Sequence, residues 1–331
     1  MEQRILGRTG RSVSVVGLGT WQLGADWGEV SEHDARAVLE ASAEAGVTFY
    51  DTADVYGDGR SEQIIGRFVA AHPDDGLIVA TKMGRRAAQV PDSYVEASFR
   101  AWIDRSRTNL GTDRLDLVQL HCPPSEVIRS DATYDVLDAL VEEGLVAAYG
   151  VSVETVDQAL SAIARPHVAS VQIILNAFRL KPLDEVLPAA AAAGVGIIAR
   201  VPLASGLLSG KYDLDTTFAP DDHRTYNRDG SAFDVGETFS GVDYPTGVVA
   251  ARELAELVAT IGPAGLTPAQ VAIAWAWQQP GVTTVIPGAR NLAQARANAA
   301  AGVAGRLSPD LLAGFRSIYD RHVRDAVHGR W

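Results

Sequence analysis

Eight short runs rich in β-forming residues recur along the chain, with helical stretches between them. They are "SVVGLG" (14–19), "VTFY" (47–50), "LIVATK" (77–82), "LDLVQLH" (115–121), "VAAYGVS" (146–152), "SVQIILN" (170–176), "GIIARV" (196–201) and "TTVIPG" (283–288). Most are near-continuously apolar, as expected of parallel strands covered on both faces. Helices are expected over 92–110 and 184–193, and Ser31 stands as N-cap before Glu32. Four helix exits carry the same device: Gly46, Gly144, Gly194 and Gly281 each precede a β-former. A glycine takes the left-handed conformation that ends the helix, and the next strand starts.

Eight strands in strict alternation with helices predict a closed (β/α)8 barrel, for which about 250 residues is typical. The chain has 331, and the surplus has places to go. Residues 4–13, with a Thr9-Gly10 turn, read as a leading hairpin. Residues 202–245 form a long Gly- and Asp-rich excursion after the seventh strand. Residues 247–261 and 268–279 then read as helices before strand eight. A two-domain doubly wound fold is the rival. No composition break separates halves, however, and "GLGTWQ" (17–22) lacks the third glycine of a G-x-G-x-x-G turn. The whole of 1–331 is therefore expected to form one barrel domain.

Composition narrows the function classes. The formal net charge of −12 disfavours nucleic acid and anionic membrane as partners. A single cysteine, Cys122, permits no internal disulfide and no Cys-based metal cluster. The seven histidines include no His-x-x-x-His pair, so no metal is expected. The longest apolar run, beginning at Gly194, is interrupted by Arg200 and Pro202 and is too short to span a bilayer. Residues 1–4 lack a basic, then apolar, leader. A reducing cytoplasm is the expected compartment.

In (β/α)8 barrels the active site lies at the carboxyl ends of the strands. Strand two ends at Asp51, strand three at Lys82 and strand four at His121, and Tyr56 follows on the turn "DVYGDG". Titratable residues ending three consecutive buried strands are costly unless they satisfy one another. An Asp51–Lys82 ion pair of purely structural use, with His121 beside it, also accounts for the pattern.

"FYDTADVYG", "ATK" and "QLH" resemble the segments carrying the catalytic Asp, Tyr, Lys and His of the aldo-keto reductase superfamily. "GLGTW", "GRSEQIIG", "GVS", "PLASGLLSGKY" and "IPGARNLAQARAN" are similar to further family segments in the same order, over nearly the whole chain. The resemblance implies a barrel with an N-terminal hairpin and NADPH-dependent, reversible reduction of an aldehyde or ketone. Retention of His121 points to carbonyl reduction, since members that reduce carbon–carbon double bonds carry a carboxylate there.

The residue types suit that chemistry. A phenol of pKa near ~10 is a poor acid until its phenolate is stabilised, which an adjacent ammonium does. Tyr56 is the expected acid and Lys82 the cation lowering its pKa. Asp51 is the partner of Lys82, and His121 the donor that orients the carbonyl.

For NADPH the resemblance implies Gly19, Thr20, Trp21 and Asp51 near the reactive end. Ser152, with Asn176 or Gln172, would take the carboxamide. The stretch of Leu203, Ser205, Gly206, Leu208 and Lys211 would follow the pyrophosphate. At the other end, Gly288 and Arg290 in the first turn of a helix offer a phosphate site, and Gln294 and Asn298 share one helix face. Arg200 stands where an aromatic is expected. Trp21, Trp27, Val55, Cys122, Pro123, Pro124 and the excursion over 212–245, with Tyr226 and Phe233, are the expected substrate wall for an uncharged carbonyl compound. A homo-oligomer is compatible with the chain. An NADPH-binding regulatory subunit with little turnover is the alternative function. A lyase or hydrolase with Lys82 as Schiff-base former is another.

Overall fold

The computed structural model describes residues 1–24 and 30–331. A hairpin of β1 (Gln3–Ile5) and β2 (Ser12–Ser14) leads the chain. Eight parallel strands follow: β3 (Leu18–Gly19), β4 (Phe49–Asp51), β5 (Ile78–Met83), β6 (Leu117–His121), β7 (Tyr149–Ser152), β8 (Ser170–Ile174), β9 (Gly196–Arg200) and β10 (Val282–Val285). Each pairs with the next in chain order. The barrel closes where β3 meets β10, through bridges Val16–Val285 and Gly19–Gly288. Closure brings two backbones together: a Cβ at Gly17 would sit 2.8 Å from the Phe49 carbonyl oxygen, and one at Gly19 2.9 Å from that of Ile286. The first strand is therefore shorter than its sequence run, with glycines where neighbours approach most closely.

Between and after the strands lie α1 (Glu32–Glu44), α2 (Arg60–Ala70), α3 (Glu96–Leu110), α4 (Ser125–Arg129), α5 (Asp131–Glu142), α6 (Val156–Ile163) and α7 (Val186–Ala193). α8 (His223–Tyr226) is a single turn within the excursion. α9 (Tyr244–Ile261), α10 (Pro268–Trp277), α11 (Leu292–Ala300), α12 (Pro309–His322) and α13 (Arg324–Val327) complete the chain. Ser31 caps α1 by accepting from the Asp34 amide. Gly46, Gly144, Gly194 and Gly281 all take positive φ, from 68° to 91°, where a Cβ would be strained. α3 starts later than its sequence signal because a separate 3₁₀ turn, Pro91–Ser93, precedes it.

The barrel interior is layered by the period of two along each strand. Phe49, Ile78, Ala80, Leu117, Ile198 and Ile286 form an apolar floor, plugged from the amino end by Leu6 and Val13 of the hairpin region. Two residues further along the same strands the inward positions become polar: Asp51, Lys82, Gln119 and Arg200. The floor keeps water out from below, and the polar layer above it opens to the mouth.

Candidate active site

The turn after β4 is sewn onto β5. The Thr52 amide donates to the Ala80 carbonyl at 2.8 Å, that of Asp54 to Lys82 at 3.1 Å, and that of Tyr56 to Ala53 at 3.1 Å. A chain of buried hydroxyls backs the turn: Thr52 donates to Ser61, Ser61 to Thr20, and Thr20 to the Asp51 carbonyl, at 2.8–2.9 Å. This fixes Tyr56 over the strand ends. Lys82 Nζ then donates to Asp51 Oδ1 at 2.5 Å, to the Thr52 carbonyl at 2.8 Å and to the Tyr56 hydroxyl at 3.3 Å. An ammonium has three hydrogens, and all three are placed. Asp51 Oδ2 accepts from Gln172 Nε2 at 2.7 Å and from Gln119 Nε2 at 3.3 Å. The His121 ring meets that of Tyr56 edge-on, centroids 6.0 Å apart at 85°, and Trp21 stacks on Tyr56 at 6.0 Å.

Burial sets the protonation states. It raises the Tyr56 pKa above the ordinary phenol value, and the pull of Lys82 in the other direction does not overcome it. The expected net lowering is thus reversed: a phenolate here pays a desolvation cost larger than one ammonium returns. The phenol is held protonated. Burial also works against the charge on Lys82, but Asp51 and Tyr56 together outweigh it and the ammonium is favoured. His121 is pushed well below the usual imidazole range, first by burial, then by Arg85, Lys82 and Arg200. Its neutral ring has Nδ1 buried and without a protein partner.

A cavity of about 490 Å³ opens above these groups. Of the residues expected there from sequence, Gly19, Thr20, Trp21, Asp51, Tyr56, His121, Ser152 and Gln172 line it. So do Leu203, Ser205, Gly206, Lys211, Gly288, Arg290, Gln294 and Asn298. Lys82 lies beneath, behind Asp51 and Tyr56. Asn176 and Leu208 are not in the wall. The Asn176 amide donates to the Val201 carbonyl at 2.8 Å and to Ser240 Oγ at 2.7 Å, so it fastens the backbone instead. Leu208 is fully buried in the apolar core. Gln172 lines the cavity, but its amide is committed to Asp51. Arg290 precedes α11 instead of lying in its first turn: Asn291 is the N-cap, accepting from the Gln294 amide. Gln294 and Asn298 brace that loop, accepting from the Arg290 amide at 2.8 Å and donating to the Gly288 carbonyl at 3.0 Å respectively. Phe233 packs on Trp21 at 6.0 Å, Tyr226 is 40% exposed, and Trp27 lies outside the described residues.

Arg200, unexplained by sequence, belongs to a buried network of two cations and two carboxyls. Its Nη2 lies 2.8 Å from Glu154, and its Nη1 3.8 Å from Glu237. Arg85 lies 2.5 Å from Glu237 and 3.5 Å from Glu154. Burial opposes ionisation of Glu237, but Arg85 and Arg200 hold it well below the usual carboxylate range. Burial pushes Glu154 up to about 7. Cys122, Glu154 and Glu237 place ligand-type atoms within 4.8 Å of one another, but the carboxylates are taken up by the arginines. Glu237 lies in the excursion, so the network ties that segment to the strand ends. Within the excursion, Ser205 Oγ accepts from the Phe239 amide at 3.0 Å. Trp331 adds a second tie, its indole donating to Asp234 at 3.0 Å under the Arg179 guanidinium, 3.6 Å from the ring.

Sequence reasoning missed Gln22, Gln119 and Thr267, and it pointed to the 212–245 stretch without singling out Tyr212, His223, Arg224 and Glu237, which line the cavity. Gln119 was within reach, two residues before His121 on the same strand face. The others lie on loops and single helical turns above the barrel, whose position no local periodicity encodes.

A profile of the Aldo/keto reductase family matches residues 15–320. The chain belongs to that family. This aldo/keto reductase is an oxidoreductase, of a family that uses nicotinamide cofactors. It is 29% identical over 301 residues to "Aldo-keto reductase YhdN" of Bacillus subtilis, covering 90% of this chain and 87% of the relative. It is 33% identical over 229 residues to "D-threo-aldose 1-dehydrogenase" of a Pseudomonas species, covering 60% and 69%. Among solved structures it is similar to glycerol dehydrogenase AKR11B4 from Gluconobacter oxydans, with a TM-score of 0.78 and 27% identity, covering 99% of this chain and 98% of that one. An aldo-keto reductase from Klebsiella pneumoniae in complex with NADP and acetate shares the fold, with a TM-score of 0.71 at 22% identity over 96% of each chain.

Proposed function

We propose that this aldo/keto reductase interconverts a small hydroxylated aldehyde or ketone and its alcohol with NADPH, Tyr56 serving as the general acid. The observation that carries the reading is the Asp51–Lys82–Tyr56 chain beneath the cavity, 2.5 and 3.3 Å at its two links. Bound in the cavity, the reduced nicotinamide supplies hydride to carbon. Tyr56 supplies the proton to oxygen. Its phenol starts protonated, and the Lys82 ammonium stabilises the phenolate as it forms. Asp51 keeps that ammonium in place, and neutral His121 offers a hydrogen bond to the carbonyl oxygen. In the oxidative direction the Tyr56 phenolate takes the alcohol proton.

The cavity suits the cofactor. Gln22 Oε1 is buried on its wall without a partner among the described residues, an acceptor suited to a donor such as a ribose hydroxyl. Lys211 and Arg290 line the same space and suit phosphate groups, which favours NADPH over NADH. Ser152 is the residue we assign to the carboxamide. A Lys82 Schiff base is disfavoured because its nitrogen is a fully hydrogen-bonded, buried ammonium. For the substrate, the relatives named for aldose and glycerol dehydrogenation fit a wall that mixes Trp21 with the polar groups of His223 and Glu237.

β10 pairs with β9, and the isolated bridges Val16–Val285 and Gly19–Gly288 join the two ends of the sheet, which supports reading the chain as one barrel domain. Among the described residues no helix is long and apolar enough to cross a membrane, and we place the enzyme in the cytoplasm. The test is NADPH oxidation over a panel of aldehydes, ketones and sugars. Turnover is expected with hydroxylated carbonyls and should nearly vanish in Tyr56→Phe, while NADPH still quenches tryptophan fluorescence. Undiminished turnover in Tyr56→Phe removes the assignment. Binding without turnover in the wild type would turn the reading to a regulatory subunit.

A further inference from the structure

The turn that carries Tyr56 holds a second, unexplained carboxyl. Asp54 is fully buried, and among the described residues neither of its oxygens has a side-chain donor; the neighbouring Val55 amide is the one backbone donor that reaches it, and weakly. Its own amide donates to the Lys82 carbonyl at 3.1 Å, and the next-but-one amide, that of Tyr56, closes the turn onto Ala53 at 3.1 Å. Any movement of Asp54 is therefore passed to both Lys82 and Tyr56.

The groups around Asp54 come from three elements. Glu62 of α2 is buried and held by Thr81 at 2.5 Å and by Asn109 at 2.8 Å. Arg86, after β5, is drawn outward to the exposed Asp58 carboxylate and reaches only the Asp54 carbonyl, at 3.5 Å. Arg105 of α3 also turns to Asp58, donating to its carbonyl at 2.7 Å and its Oδ1 at 2.8 Å, while its Nε is buried and unpartnered. Tyr94, whose hydroxyl donates to Gln89 at 2.9 Å, completes the surroundings. Arg86 and Arg105 both spend their hydrogen bonds on Asp58 at the surface, and the charge acting most strongly on Asp54 is that of Glu62. A buried carboxylate with one weak backbone donor and no paired cation is unfavourable in such a place; a carboxylic acid is tolerated.

We propose that Asp54 is a positioning residue for Tyr56: as a neutral acid it keeps the 52–59 turn in its reactive shape, and loss of its proton pulls the turn toward Arg105 and withdraws the phenol. This rests on the reading of Tyr56 as the acid. Burial, then Glu62, push the Asp54 carboxyl up to about 7 against Arg86 and Arg105, so the device responds near neutrality. The proton goes to solvent, and the Arg105 Nε–H is the donor that the new carboxylate finds. The sense follows directly: the reductive rate is full below about 7 and declines as pH rises through it.

The experiment is the pH dependence of single-turnover NADPH oxidation, run beside infrared titration of the unliganded protein in the protonated-carboxyl region. Wild type is expected to lose several-fold in rate as pH rises through about 7. Asp54→Asn should keep the low-pH rate and lose that limb. The infrared band of a protonated carboxyl should disappear over the same range in wild type and in Glu154→Gln, and Asp54→Asn should lack that contribution. Glu154 titrates in the same region, so a rate limb that survives Asp54→Asn but not Glu154→Gln overturns the proposal. So does a low rate for Asp54→Asn at every pH. If Asp54→Asn does not fold, the band in Glu154→Gln decides, and its absence overturns the proposal. Full turnover in Tyr56→Phe would instead remove the acid assignment, with the infrared result still reporting on Asp54 by itself.

Discussion

Lys82 Nζ stands 3.3 Å from the Tyr56 hydroxyl and 2.5 Å from Asp51, with its remaining hydrogen on the Thr52 carbonyl. The lysine therefore serves two ends, holding a buried carboxylate on one side and facing a proton donor on the other. Stability and chemistry are joined at one nitrogen, and substitution can separate them.

Lys82→Met leaves Asp51 buried, its side chain 3% exposed, without its cation. Breaking such a pair from one side costs about 3–5 kcal/mol. Asp51→Asn with Lys82→Met should recover much of that loss in thermal melting. Neither variant should recover turnover, with kcat down roughly 10²–10⁴-fold, the usual worth of a proton-transfer group. Wild-type kcat in the double variant would show that the ammonium has only a structural role.

Gln172→Leu removes the 2.7 Å donor to Asp51 Oδ2 and leaves only the longer bond from Gln119. A lost hydrogen bond to a buried charge is worth about 1.5–3 kcal/mol. Urea unfolding should show a drop of that order. Gln172→Glu should be worse, because it sets a second carboxyl against Asp51.

Arg290→Ala tests the cofactor preference. A lost charge-assisted contact of about 1.5–3 kcal/mol corresponds to roughly a ten- to hundredfold weaker NADPH. NADH should be nearly unaffected. Fluorescence titration with both cofactors reads the difference, and equal losses would remove Arg290 from the 2′-phosphate.

Glu237 gives the excursion a pH dependence of defined sign. Its folded pKa is depressed by Arg85 and Arg200 despite burial. Its stabilising contribution is therefore complete above the ordinary carboxylate value of about 4.3 and is lost as pH falls toward the folded value. Limited proteolysis should find residues 202–245 protected at neutral pH and opening on acidification below about 4. Glu237→Gln should open that segment already at neutral pH, with its acid response flattened. An unchanged profile would mean that the Trp331 tie and the excursion's internal bonds suffice.

Much of the molecule was legible in sequence because its rules are local. Alternating β and helical runs, with glycines at helix exits, determined the strand order, since parallel neighbours with short crossovers can hardly arrange otherwise. Strand-end positions likewise placed Asp51 and His121 at the mouth and Lys82 just beneath it. Tertiary structure alone decided that Asn176 binds backbone instead of facing the cavity, and that the Tyr56 phenol is raised in pKa. It also decided that Arg200 joins Arg85, Glu154 and Glu237. The physical reason is common to all of these. Which partner a polar group finds, and how much water it keeps, depends on segments up to a hundred residues or more apart in sequence that meet only when the barrel closes, and no periodicity along the chain records that meeting.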